Sequence, residues 1–369
     1  MYRMESLGKA HTHRGDEIHR LTIYVTGRGR VHQKRTREVA MASEVWCGQR
    51  TGLLARCPFH DRGERFSCSL ALTPNASEHQ REQLCLAGAV ATPLCSTLAG
   101  RRLILIGDSL MQQLYDTIRC HICGTHRAAL VPEAACNPSS CRTRTITRRW
   151  SRDQKLSQHD FGLCGSVDFQ PAGTLKPPSL SDALTRLDAA GELPNASIVL
   201  LNDGVWFSPN PWSDLPSRGV GHAVRDARFR AEATLATIRR LGLRTDRRIC
   251  VLWRETSPQH FAGSDHLRGS FPGRGEPTFD SKRGCSAHRP SKNGLASSLW
   301  EPLNAWLESR GLPVVRLWQD SAAHHDLHLG MRTAYVQHKG TSDCTHWCSP
   351  GVVDMWVPLL RNAVLKYCG

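Results

Sequence analysis

The chain has 369 residues, of which 40% are hydrophobic and 22% charged, with a formal net charge of +15. That length and composition exclude a disordered or collagen-like chain and allow one large α/β domain or two smaller ones. The positive charge suits an anionic partner such as nucleic acid, a membrane surface or an acidic polysaccharide. Arginine is spread along the chain, with no compact basic run interleaved with aromatics, so nucleic acid is not the expected partner.

Residues 1–43 read as a basic, weakly structured lead whose one apolar stretch is "LTIYV". That stretch is neither a signal-peptide core nor a membrane span, and no other run reaches spanning length; "LCLAGAVATPL" is short and carries Pro93. From Trp46 onward Cys47, Cys57, Cys68 and Cys85 are dense while apolar periodicity is weak. This predicts a smaller, loop-rich, disulfide-tied lobe. Fifteen cysteines in all are many for a cytosolic enzyme. Only "CHIC" at Cys120 to Cys123 has C-x₂-C spacing, and no second ligand pair follows it, so disulfides in an oxidising compartment are expected over zinc. The odd count leaves at least one thiol outside an intrachain pair. Two sequons, at Asn75 and Asn195, fit a secretory route. The polar start conflicts with that route, and the reading favoured is a chain whose true N-terminus lies upstream.

"RRLILIGDSL" (101–110) changes the character of the sequence. Leu103–Ile106 is a continuous apolar run, as for a strand buried on both faces. Leu110, Leu114 and Ile118 then recur at helical spacing, which predicts strand, tight turn, helix. Residues 112–187 are harder to read; "CNPSSCRTRTITRRWSRDQ" suggests a small lobe or lid. "SIVLLNDGVWF" (197–207) is a second apolar strand, 224–241 a helix, and "RRICVLWRETSP" (247–258) a third strand running into a loop. A helix over 299–307, a strand at 312–318 and a terminal helix at 352–367 complete the series. Alternating strands and helices predict a doubly wound α/β sheet, with its chemistry beyond the carboxyl ends of the strands. Asp108, Ser109, Asn202 and Arg254 all fall at such ends.

Ser109, after Gly107-Asp108, sits where a turn lifts a side chain out of the sheet and where helix N–H groups face an anion. Taken alone, Gly-Asp-Ser also fits an ordinary serine in the first turn of a helix. Asn202 could donate its amide to an oxyanion, with Gly204 allowing a close turn; an Asx-turn is the plain alternative. Near the end, "DCTHWCSPG" (343–351) puts Asp343 and His346 three residues apart, on a turn before a helix. One imidazole nitrogen can face the acid and the other Ser109, which is the logic of a nucleophile, a base and an orienting acid. "HHDLH" (324–328) offers two histidines four apart, but no carboxylate-plus-water arrangement accompanies them, so no metal is expected. Trp206 and Trp212 flank the expected site and could stack on a sugar ring, or simply pack.

"IGDSL", "LNDGVW", "WRETSPQHF" and "DCTHWCSPGVVDMW" together resemble the blocks of the trichome birefringence-like and PC-esterase family, within the SGNH (GDSL) superfamily. The resemblance makes residues 44–369 the catalytic domain. It implies a flavodoxin-like three-layer α/β/α core and O-acetylation of a polysaccharide in the Golgi. It also implies Ser109 as nucleophile, His346 as base and Asp343 as its orienter, with Arg254, Ser257 and His260 shaping the site. No bound cofactor is implied; an acetyl donor such as acetyl-CoA would be a co-substrate. Where members of the family usually carry arginine, three residues after the serine, this chain has Gln112. An esterase and a catalytically silent glycan-binding protein are the alternative functions.

Overall fold

The computed structural model describes residues 94–125, 142–148, 151–173, 178–203, 220–245, 248–261, 284–287, 300–330, 342–348 and 351–369, with two short strands near the start. By its contacts the chain divides into two units, Met1–Gly48 and Gln49–Gly369. In the first, β1 (Tyr24–Val25) pairs antiparallel with β2 (Val31–His32).

The second unit is built on a seven-stranded sheet. In chain order its elements are α1 (Leu94–Leu98), β3 (Arg102–Gly107), α2 (Ser109–Thr125), β4 (Arg142–Arg148), β5 (Ser151–Asp160), β6 (Ser166–Pro171), α3 (Leu180–Ala189), β7 (Ile198–Leu201), α4 (Val220–Arg240), β8 (Cys250–Arg254), α5 (Glu301–Ser309), β9 (Val314–Val315), α6 (Trp318–Ala322), β10 (His328–Gly330), β11 (Asp343–Trp347) and α7 (Val352–Tyr367). The sheet order is β4-β5-β6-β3-β7-β8-β9. Strands β6, β3, β7, β8 and β9 run parallel. Renumbered along the chain, those five have the order 2-1-3-4-5 of a flavodoxin-like sheet.

Burial on both faces follows from the strand pleat. Leu103 and Leu105 of β3 and Ile198 and Leu200 of β7 pack on α1, α2 and α7. Their neighbours Ile104, Ile106, Val199 and Leu201 pack on α3, α4 and α5. The continuous apolar runs read from sequence are therefore strands covered by helices on both sides, and the architecture is three-layered.

Two expectations change. The polar stretch read as a small lobe or lid contains β4 and β5, which extend the main sheet as an antiparallel edge. Its alternation of arginine and threonine suits an edge strand, and no apolar run marks it. The strand expected over 312–318 is only Val314–Val315, and Trp318 already begins a short helix. Glu255 accounts for the early stop: its Oε2 accepts from the N–H groups of both Leu317 and Trp318 at 2.9 Å, capping α6. The loop-rich lobe expected from Trp46 onward lies outside the described residues.

Disulfides link Cys95 to Cys164, Cys250 to Cys368 and Cys285 to Cys344. Cys120 and Cys348 are disulfide-bonded too. Among the described residues no helix is long and apolar enough to cross a membrane.

The β3–α2 turn depends on Gly107. A Cβ there would stand 2.8 Å from the Asn202 backbone oxygen and 3.0 Å from the Met111 Cβ. Backbone on the neighbouring strand cannot swing aside as a side chain can. Gly107→Ala should therefore destabilise the protein by about 1–3 kcal/mol, read as a lower urea midpoint at unchanged slope.

Candidate active site

Ser109 is the first residue of α2, immediately beyond β3. The turn is set by Asp108, whose Oδ1 accepts from the N–H groups of Leu110 at 3.0 Å and Met111 at 3.4 Å. That is the capping a helix start requires. β3 and β7 are the strands between which the sheet order reverses, and Asn202 follows β7 just as Ser109 follows β3. The serine thus stands at the switch point of the sheet, where open α/β folds place their ligands.

His346 and Asp343 reach it from outside that sheet. They lie on β11, which pairs with β10 in a separate two-stranded ribbon. The expected turn is a strand, and in a regular strand residues three apart point to opposite faces. An irregularity resolves this: His328 pairs with Trp347 and Gly330 with Asp343, so two steps along β10 span four along β11. The bulged strand folds back on its own aspartate. Asp343 Oδ1 accepts from the backbone N–H groups of Thr345 at 3.1 Å and His346 at 2.9 Å. Its Oδ2 accepts from the imidazole Nδ1–H at 2.8 Å, and the Ser109 hydroxyl meets Nε2 at 2.6 Å. The three side chains therefore form one hydrogen-bonded line.

Burial would raise the Asp343 carboxyl. The adjacent His346 ring and the hydrogen bonds from His346 and Thr345 outweigh it and hold the group well below the usual carboxylate range. Asp343 is thus ionised at every physiological pH, and mild acidification can act on the site only through other groups.

A second cluster lies at the ends of β7 and β8. Asn202 is fully buried, and its Nδ2 donates to the Arg254 carbonyl at 2.9 Å and to Thr256 Oγ1 at 3.3 Å. Its Oδ1 accepts from Arg254 Nη2 at 2.6 Å. Both amide hydrogens expected to serve an oxyanion are thus spent on the neighbouring strand, and in this geometry Asn202 brackets β8. Arg254 is 1% exposed. Its Nη2 lies 4.0 Å from Asp108 Oδ1, and its guanidinium sits 5.0 Å over the Trp356 ring. Burial pulls Arg254 down to about 10, opposed by Asp108 and Glu255, so it remains a cation at neutral pH. It places positive charge beneath the turn that carries Ser109.

His260 is buried and donates its backbone N–H to the Cys344 carbonyl at 3.1 Å, fastening the loop after β8 to β11. Ser257 is buried in the same loop. Gln112 is exposed on α2. Gly204, Trp206 and Trp212 lie outside the described residues. Among the described residues there is no group of three or more potential metal ligands.

Sequence reasoning passed over Gln113. It lies one helical turn beyond Ser109, on the same face of α2. Its Nε2 donates to the Trp347 carbonyl at 2.8 Å, and its Oε1 accepts the Trp347 N–H at 3.2 Å. A primary amide thus pairs with the N–H and C=O of one residue as a neighbouring strand would, clamping β11 to the helix that bears the serine. The i, i+4 spacing from Ser109 was the available signal.

The model of the PC-Esterase family, described as a GDSL/SGNH-like acyl-esterase family found in Pmr5 and Cas1p, matches residues 90–363, about three-quarters of the chain. The chain belongs to this family. Among curated relatives, it is 24% identical over 288 residues to trichome birefringence-like protein 7 of Arabidopsis thaliana, covering 71% of this chain and 58% of that protein. With trichome birefringence-like protein 6 of the same plant it shares 22% identity over 330 residues, 82% of this chain and 65% of the other. A xyloglucan O-acetyltransferase 4 of Populus trichocarpa is 25% identical over 193 residues, 48% of this chain and 44% of that one. The chain thus spans less than two-thirds of the length of each of these relatives.

Two outcomes are expected from this PC-esterase geometry. Gln113→Leu leaves the Trp347 peptide without its buried partners and should cost about 1–3 kcal/mol. It should also slow labelling of Ser109 by a fluorophosphonate, while Ser109→Ala abolishes that labelling. Asp343, with its depressed pKa, contributes stability that is complete above the ordinary carboxylate pKa of about 3.9 and is lost only as pH falls far below it. Urea titrations should therefore give a gap between wild type and Asp343→Asn that is constant above about pH 5 and closes in strong acid.

Proposed function

We propose that this chain is a polysaccharide O-acetyltransferase that works through an acyl-serine. The observation that carries the reading is the line from Ser109 Oγ through His346 to Asp343, with contacts of 2.6 and 2.8 Å at the switch point of the sheet. His346 Nε2 takes the hydroxyl proton as Ser109 Oγ attacks the acetyl carbonyl of a donor. Asp343 fixes the tautomer and stabilises the imidazolium. The Ser109 backbone N–H, at the start of α2, faces the tetrahedral oxygen, and the buried Arg254 cation lies beneath the same turn. The imidazolium returns its proton to the leaving group. A sugar hydroxyl then loses its proton to His346, attacks the acyl carbon, and Ser109 is released as the alcohol.

The acetyl donor is an activated ester of the acetyl-CoA kind, used as co-substrate with no bound cofactor. The acceptor is a cell-wall polysaccharide, by analogy with the xyloglucan O-acetyltransferase relative. Trp206 and Trp212 are proposed to stack on the sugar, and residues 44–369 to form the catalytic domain. The disulfides, together with Asn195 standing exposed in a turn as a sequon, support a secretory location, for which the Golgi is the proposed compartment.

A second reading is a carbohydrate acetylesterase. The family description itself names acyl-esterases, and water in place of the sugar hydroxyl uses the same side chains. The test is a partition: acetyl transferred to oligosaccharide against acetate released, as acceptor concentration rises. Transfer should dominate at saturating acceptor, Asp343→Asn should cut turnover by roughly 10³–10⁴-fold with the fold intact, and Ser109→Ala should abolish both products. Rapid acetate release indifferent to any glycan, with ready deacetylation of acetylated polymer, would establish the esterase instead. Unchanged turnover in Ser109→Ala would overturn the acyl-serine, and a wild type that forms neither product would leave a glycan-binding protein.

A further inference from the structure

Two buried histidines on different elements meet behind the strand that carries His346. His260, in the loop after β8, and His328, the first residue of β10, are each 1% exposed. His260 Nδ1 lies 2.7 Å from His328 Nε2. The outer nitrogen of each ring faces a carbonyl: His260 Nε2 that of Ala322 at 3.0 Å, and His328 Nδ1 that of His346 at 3.0 Å.

These three contacts fix a proton count that does not depend on any chosen tautomer. A carbonyl oxygen only accepts, so both outer nitrogens must carry hydrogen. The inner N···N contact, at hydrogen-bond length, needs one proton between its two nitrogens. The total is three protons on two imidazoles. Two neutral rings carry only two, and would leave a lone pair against a lone pair or against a carbonyl in the protein interior.

We propose that His260 and His328 form a buried imidazole–imidazolium pair sharing one extra proton, and that the pair positions His346 by fastening β11 from behind. Its surroundings suit a cation. The His328 ring stacks on Trp347 with centroids 3.7 Å apart and planes at 22°, a face that attracts positive charge. The His260 ring meets the same indole edge-on at 5.8 Å. Among the described residues the His325 ring, from the turn before β10, also lies near, its centroid 6.2 Å from that of His260. The fastening is direct: His328 holds the carbonyl of His346 and stacks on the next residue, and His260 holds Cys344 through its backbone. β11 is thereby gripped on both sides of the imidazole that meets Ser109.

The positioning role rests on the acyl-transfer reading above, whereas the protonation state does not. The experiment is ¹⁵N spectroscopy of the full chain labelled at histidine, with the pair assigned by comparison with His260→Asn and His328→Gln. At neutral pH three of the pair's four ring nitrogens should be protonated, with a ¹⁵N–¹⁵N coupling across the inner hydrogen bond. Only two protonated nitrogens, or no coupling, would overturn the shared proton. The inter-ring coupling identifies the pair in the wild-type protein by itself, so the measurement decides the matter even where a variant fails to fold. In parallel, His328→Phe keeps a ring on Trp347 but removes both hydrogen bonds. Its kcat for acetyl transfer should fall about tenfold to a hundredfold with KM unchanged. Full kcat in a folded His328→Phe would overturn the positioning role. If Ser109→Ala also keeps full turnover, the acyl-serine reading is what fails, and the nitrogen count still stands or falls by itself.

Discussion

The hydrogen bond between the Ser109 hydroxyl and His346 Nε2 joins residues 237 positions apart, and the site exists only while it holds. One end is secured by the main sheet, since Ser109 follows directly from a strand buried on both faces. The other end has no such anchor. β11 belongs to a two-stranded ribbon, and an isolated ribbon is marginal in water. The surrounding structure supplies what the ribbon lacks. Gln113 grips the Trp347 peptide from α2, the loop after β8 lies along the strand's other side, and disulfides hold Cys344 and Cys348 at either flank of the imidazole. Each attachment is modest, on the order of 1 kcal/mol for a neutral hydrogen bond. Because they act on a strand five residues long, together they leave His346 little freedom.

The bulge explains how an acid and a base three residues apart can cooperate on extended chain. Their spacing resembles a helical or turn pairing, but the geometry comes from extra residues in one strand and an aspartate that folds its own backbone round itself. The same carboxylate thereby orients the imidazole and shapes the strand that carries it. The buried Arg254 follows a related logic. A lone guanidinium in the interior is costly, and removing a buried partner typically destabilises by about 3–5 kcal/mol. Here Asn202, the nearby Asp108 carboxylate and the Trp356 face share the compensation, which ties the ends of β3, β7 and β8 into one unit beneath Ser109.

Sequence reading was most secure where a pattern is local. The apolar run Leu103–Ile106, the helix beginning at Ser109 and the terminal helix over 352–367 all emerge from periodicity, and Asp343 and His346 are near neighbours. It was weakest where a residue's partner is remote. The Asn202 amide looks available until β8 is laid beside it. Gln113 looks like any helical glutamine until Trp347 arrives. His328 sits in a histidine-rich run that gives no hint of its partners in space, an imidazole, a carbonyl and an indole. β4 and β5 are polar edge strands and carry no apolar signature, and in β11 the cysteines and the following Pro350-Gly351 read as the punctuation of a turn.

The order of elements along the chain has a consequence for biosynthesis. The serine strand is made well before β11 and the α7 helix, which covers a large part of one face of the sheet. A growing chain therefore carries Ser109 before His346 exists to meet it, on a sheet whose one face still lacks α7. Until β11 is made and docked, the hydroxyl has no His346 imidazole beside it. The Ser109–His346 contact is therefore a property of the assembled fold and not of any earlier stretch of chain.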